Sequence, residues 1–406
     1  MIISFRFKNF RSFYDETFID MKTDCCKDFT NHLAPFENKY LLKTLAVYGD
    51  DASGKTNLLL AFAGFQALIF KQLFPLKTIP GIHFVPHLRS NSRTKIIPYQ
   101  ITETDPQPTE MELSFLSKQH IYEYGFIIKD QNILAEHLIV DHHMVYTRTD
   151  REIFIGNRFK KYLHGKTDLK PHHAQLFCSI LSYLDIPEIT VIMEPFKDFF
   201  LGHMVYYFNT FELFQSIREM ETESNLYQIF ENSDALNYSL NQLQKLGIPI
   251  EDFIIEHGVP KLGFRIKSRD TGKFIIYHTD YTSVSMNTIK YLCFFIKVYE
   301  LSQTGGILII DNITNEFQST VIKYIVDSFY QEDNKNIQLI FTTNDSFILN
   351  NKQLQYDKVA VVDMNEYQES RFYTLTDILV QPDSSLLKEY LLKKYGTMTL
   401  LKDPIL

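Results

Sequence analysis

Gly49-Asp50-Asp51-Ala52-Ser53-Gly54-Lys55-Thr56 fills G-x-x-x-x-G-K-[ST] at every fixed position, the pattern of a loop that wraps phosphate groups. The spacing has a chemical reason. Gly49 lets the chain leave a strand, and Gly54 lets the backbone wrap closely, so that successive N–H groups point at the phosphates. Lys55 is placed to neutralise the β- and γ-phosphates, and the Thr56 hydroxyl to coordinate Mg²⁺. The start of a helix behind the loop adds its own attraction for anions. Asp50, Ala52 and Ser53 complete the candidate binding loop. ATP with Mg²⁺ is the cofactor pair this loop implies.

The flanks agree with that reading. Residues 42–48 (LKTLAVY) have the composition of a buried strand, and NLLLAFAGFQALIF, from Asn57 on, is apolar almost all round, as a buried helix is. Such a loop needs an acid on a neighbouring strand to hold the metal through water. Asp311 is the candidate, because it ends the continuous apolar run Ile307-Leu-Ile-Ile310. The stretches at 337–343 (IQLIFTT) and 358–364 (KVAVVDM) are further strands. Alternating with helical segments, they predict a parallel α/β sheet.

Elsewhere, residues 2–21 read as two short strands around Phe10-Arg11-Ser12-Phe13. The segments MELSFLS, IYEYGFIIK and ILAEHLIV, between 111 and 140, read as antiparallel strands of the same lobe. From about 158 to 255 the spacing becomes helical, in HAQLFCSILSYL, FKDFFLGHMVYYFNTFELFQSIREM and SDALNYSLNQLQKLG, with Gly247 as a helix stop. Strand-like FRIKS and KFIIYHT follow, then a helix over TIKYLCFFIKVYELSQ.

The 406 residues suffice for two or three cores, and 45% hydrophobic with 22% charged residues is the composition of a soluble globular protein. The aromatic share of 14%, with 34 Phe and 24 Tyr, argues against disorder. No apolar run reaches bilayer length and the start carries no signal-peptide pattern, so a cytoplasmic protein without a membrane partner is expected. Cys25, Cys26, Cys178 and Cys293 are then reduced thiols. A net charge of −8 sets the chain apart from proteins that coat nucleic acid, so any DNA or RNA contact must be local. Candidates are Arg158-Phe-Lys-Lys161 with Tyr162, and His87-Leu-Arg-Ser-Asn-Ser-Arg-Thr-Lys95. No acidic or His/Cys constellation outside the phosphate loop points to a nuclease; His142-His143 and His172-His173 lack partners at ligand spacing.

With FKNFRSF, VYGDDASGKTNLL, IYEYGFIIKDQNILAEHL, GGILIIDN, QLIFTTND and KEYLLKKYG, the chain resembles bacterial AAA-type ATPases with an ABC-like head, related to the SMC, RecF and overcoming-lysogenization-defect proteins. The resemblance spans nearly the whole chain, and Asn57 after Thr56 adds to it as a further binding position. It implies a homodimer joined through its ATP sites, in which each nucleotide is completed by a signature from the opposite subunit. It also implies a phage-defence setting with a neighbouring effector, a nuclease or toxin. The signature matches Ser285-Met286-Asn287-Thr288, so Ser285 is the residue implied to act in trans. Asn287 stands where the family has Gly, and Asn tolerates the left-handed turn a glycine would make. The family's water-activating Glu is Asn312 here, and its switch His is Asn344. An amide orients water but takes no proton, so hydrolysis is expected to be slow. Glu316, five positions past Asp311, is out of register to replace it. On this resemblance the domains are an N-terminal ATPase lobe over 1–157, an inserted, mainly helical subdomain over 158–257, a C-terminal lobe over 258–378 and a helical tail over 379–406. The alternatives are a DNA repair or processing ATPase, and a non-catalytic, antitoxin-like partner of a nuclease.

Overall fold

A computed structural model describes residues 1–23, 33–74, 95–102, 105–163, 172–202, 204–207, 232–257, 259–330, 336–350, 354 and 356–377. Cys25, Cys26, most of the basic stretch 87–95 and the expected tail 379–406 lie outside the described residues. The chain forms two compact units, Met1–Phe208 with Gly306–Leu406, and Asn209–Gly305.

The first unit begins with β1 (Ile2–Lys8) and β2 (Thr17–Asp20), joined by a turn in which Phe10 and Phe13 bridge. β1 alternates as a half-buried strand should, Phe5 and Phe7 inward and Arg6 and Lys8 outward. A small sheet of β3 (Lys22–Thr23), β4 (Leu33–Phe36) and β5 (Lys39–Leu42) precedes β6 (Thr44–Tyr48), which is wholly buried, and α1 (Lys55–Leu73). There follow β7 (Thr109–Ser117), β8 (His120–Lys129), β9 (Asn132–Val140), β10 (His143–Thr149) and β11 (Ile153–Ile155). With β1 and β2 these make an antiparallel sheet ordered β11-β10-β9-β8-β7-β1-β2.

Next come α2 (Lys160–Leu163), α3 (Phe177–Leu181), α4 (Pro187–Gly202) and β12 (Met204–Tyr207). In the second unit lie α5 (Ser233–Lys245), β13 (Ile250–Glu256), β14 (Val259–Lys267), β15 (Phe274–Asp280) and α6 (Met286–Thr304). Gly247, at φ +80°, stops α5 as its sequence position implies. The chain then returns to the first unit with β16 (Gly306–Ile310), α7 (Ser319–Ser328), β17 (Ile337–Thr343), β18 (Val359–Met364) and β19 (Ser370–Thr374). The second sheet is ordered β12-β16-β17-β6-β18-β19, parallel except at β19. The fold class is therefore α/β, with an antiparallel lobe beside a parallel core, as the sequence implies.

One hydrophobic core runs from the antiparallel sheet through α1 to the parallel sheet. Phe62 stacks on Phe5 at 4.3 Å and Phe65 on Phe126 at 5.1 Å. Among the described residues α1 is the one helix long and apolar enough to cross a bilayer, and its burial in this core accounts for that composition. Gln338 ties the two sheets together: its amide donates to the carbonyls of Ile2 and Leu42, and its carbonyl accepts from Ile2 N–H at 2.6 Å.

Two expectations change. The run read as helical over 196–220 breaks at β12, whose MVYY pairs in parallel with β16. The division also falls elsewhere. α3 and α4 belong to the first unit, because Phe199 stacks on Phe115 at 4.0 Å and Phe177 meets Tyr146 at 4.8 Å. A boundary at 257 would cut the β13–β14 hairpin, which pairs Ile250–Glu256 with Val259–Lys267.

α3 is fastened by a buried carboxylate. Glu136 accepts from Phe177 N–H at 2.7 Å, Cys178 N–H at 3.0 Å, Tyr146 at 2.6 Å and Tyr124 at 3.0 Å. It pairs with Arg148 Nη1 at 3.3 Å. Burial pushes both phenols and the Cys178 thiol well above their ordinary pKa values, keeping them protonated as donors.

Candidate functional site

The loop from β6 to α1 is held in a shape that few side chains would permit. Gly54 has φ +108° and Ala52 φ +64°. A Cβ on Gly49 would run into the Val362 carbonyl oxygen, and one on Gly54 into the hydroxyls of Ser370 and Ser12. The glycines thus let the loop lie directly against the β18–β19 hairpin and the turn after β1.

That contact is polar. Ser370 Oγ donates to Ser53 O at 2.6 Å and shares a hydrogen bond with Ser12 Oγ at 2.8 Å. Asn57 Nδ2 donates to Ser12 Oγ at 2.8 Å. Asn57 therefore braces the loop from behind, and Ser12 and Ser370 are site-forming residues that the sequence reading passed over.

Lys55 Nζ donates back to the carbonyls of Gly49 at 2.8 Å and Asp50 at 2.7 Å. Burial holds the Lys55 ammonium below the ordinary lysine pKa, against the attraction of Asp51, Asp311 and Asp50. Thr56 Oγ1 donates to Asp311 Oδ2 at 2.8 Å. Asp311 follows β16, and β17 separates that strand from β6. β17 supplies the link: Thr342 Oγ1 donates to Asp311 Oδ1 at 2.7 Å and accepts from Asn312 N–H at 2.6 Å. Lys55, Thr56 and Asp311 thus form one polar cluster at the loop.

Thr342→Val, nearly isosteric, would strand the Asp311 oxygen and the Asn312 N–H. We expect a stability loss of about 1–3 kcal/mol, read as a lower urea midpoint, together with a higher Mg²⁺ requirement for ATP binding.

Asn312 is left-handed at φ 47°, ψ 65°, and its carboxamide oxygen accepts from Thr314 Oγ1 at 2.7 Å. Asn344 is exposed just beyond β17. Glu316 is buried behind the turn that follows Asn312. Ser285, in the second unit, is exposed at the N-terminus of α6. Asn287 is helical, inside α6, so the left-handed turn considered for it does not form: Thr288 and Ile289 already bond back to Ser285 O.

The residues present suit a Mg²⁺-bound nucleoside triphosphate. Ser53 Oγ is buried within the loop without a hydrogen-bond partner, and the lysine, hydroxyl and carboxylate are the donor set that phosphates and a hard cation require. Lys55, Ser53 and the loop N–H groups would hold the phosphates; Thr56 and Asp311 would hold the metal. Among the described residues no group of His, Cys, Asp and Glu forms a separate metal site.

Fold and loop together make an α/β arrangement in which a P-loop follows a central parallel strand and an acid follows the strand two places away. No protein-family model and no curated protein sequence matches the chain. Among solved structures it is similar to the SMC head domain from Thermotoga maritima, at 12% identity over 92% of this chain and 98% of that one, with a TM-score of 0.42. It is similar to an SMC head bound to the C-winged helix domain of ScpA, at 11% identity over 96% and 99%, with a TM-score of 0.41. A third, an Smc head with an extended coiled coil bound to the C-terminal domain of ScpA derived from Pyrococcus furiosus, gives 11% identity over 97% and 99%, with a TM-score of 0.42.

Proposed function

We propose that this protein binds Mg·ATP at the loop of residues 49–56 and uses it as a slowly hydrolysed, nucleotide-gated switch. The observation that carries the reading is the contrast inside one cluster. Lys55 is held in the loop by the Gly49 and Asp50 carbonyls and Thr56 is bonded to Asp311, while the next position carries an amide anchored to Thr314. Such a site keeps its capacity to bind phosphate and metal. It lacks a carboxylate at 312 to take a proton from water, a contribution of roughly 10²–10⁴-fold in rate. ATP would then act as lasting glue between two protomers, with Ser285 of one copy completing the site of the other. The defence module with a nuclease or toxin partner rests on the sequence resemblance.

The test is phosphate release by wild type and Asn312→Glu. We expect slow release by wild type and a rise of at least about tenfold in the variant, less than a full general-base contribution because Glu adopts a left-handed backbone less readily than Asn. Brisk wild-type turnover that survives Asn312→Ala would overturn the slow-switch reading.

A further inference from the structure

We propose that the β14–β15 hairpin of the second unit is a docking platform for a single-stranded polynucleotide. The hairpin is locally basic in an acidic chain. Arg265, Lys267, Arg269 and Lys273 face one acid, Asp270, within ten residues of a protein whose net charge is −8. Arg265 reaches Glu251 at 3.6 Å, whereas the other three cations sit exposed around the tip. The tip itself is a tight turn, Gly272 at φ +68° with Gly272 N–H bonded to Ser268 O at 2.9 Å. An added Cβ there would meet nothing within 4 Å, so the tip stands open.

Beside the cations lies flat apolar surface. Strand register puts Lys267 opposite Phe274 and Arg265 opposite Ile276, all four on one face. Phe274 is 62% exposed and Ile276 49%. The Arg265 guanidinium lies over the Phe274 ring at 4.8 Å. β15 is an edge strand, and four consecutive exposed apolar residues on an edge are a liability that a folded protein covers.

Exposed cations that follow a phosphodiester backbone, next to an aromatic ring on which a base stacks, are what single strands require. A purely acidic partner would use the cations but leave the ring without a role. This inference stands apart from the ATP site, and its test is run without nucleotide.

The full chain is titrated into a fluorescein-labelled single-stranded DNA of mixed sequence, with poly-glutamate as competitor. We expect wild type to bind. The Lys267→Glu/Arg269→Glu/Lys273→Glu variant should weaken binding and flatten the slope of log K against log salt by about 2, at roughly 0.7 per cation. Phe274→Leu, which keeps an apolar side chain at an exposed position, should weaken binding by roughly 5- to 150-fold. Poly-glutamate should compete poorly. No binding by wild type, unchanged affinity in Phe274→Leu, an unchanged salt slope in the folded triple variant, or equal displacement by poly-glutamate would each overturn the proposal.

Discussion

Lys55→Ala is expected to lose half or more of the ATP-dependent stabilisation in a thermal-shift assay in which the wild type responds. Lys55 is the cation of the loop, and a hydrogen bond to a charged group is worth about 1.5–3 kcal/mol. One such bond lost lowers affinity by roughly 10- to 150-fold. At a ligand concentration of about 100 Kd the wild type gains about 2.7 kcal/mol, of which the variant forfeits from about half to nearly all. The fold should survive. The carbonyls of Gly49 and Asp50 that Lys55 now occupies lie beside exposed Asp51 and Ala52, so that water can replace the ammonium. Equal shifts in the two proteins would remove the nucleotide from this loop.

The second large effect lies away from the site. Arg148→Met should destabilise the first unit by about 3–5 kcal/mol, the cost of leaving one member of a buried ion pair without the other. Arg148 and Glu136 are almost fully buried, with side-chain exposures of 3% and 0%. The Glu136 carboxylate is also the acceptor for the first N–H groups of α3. Losing the cation therefore loosens α3 from the sheet as well as uncovering a charge. The urea midpoint measures it, and a value within about 1 kcal/mol of wild type would show that the tyrosine and amide donors suffice to hold the carboxylate.

How legible the site was depended on how local its chemistry is. The loop could be read outright because phosphate binding dictates residue types at neighbouring positions. Asp311 could be read because a buried strand that ends in an acid is a short pattern. Ser12 and Ser370 could not, since their bond spans 358 positions and serine is common in turns. Thr342 was visible only as part of a strand; the one available signal was a hydroxyl pair in an otherwise apolar run, since buried hydroxyls need partners. The same distinction holds for the fold. The antiparallel strands between 111 and 140 and the parallel strands at 306–310 and 337–343 announced themselves by composition. MVYY in β12 did not, because four apolar residues after a helix look like its continuation until β16 is placed beside them. Asn287 was misread for a related reason: a turn was considered where the backbone bonds to Ser285 make the first turn of a helix.

Whether the site binds Mg·ATP and keeps it is read from the nucleotide that stays bound. Wild-type protein is incubated with Mg·ATP, separated from free nucleotide, and the bound fraction is followed over time. Intact ATP should persist on the wild type, while Asn312→Glu should carry ADP or none. Wild-type protein that retains no nucleotide, or that converts it to ADP as fast as Asn312→Glu does, would show that the site is not a lasting hold on ATP.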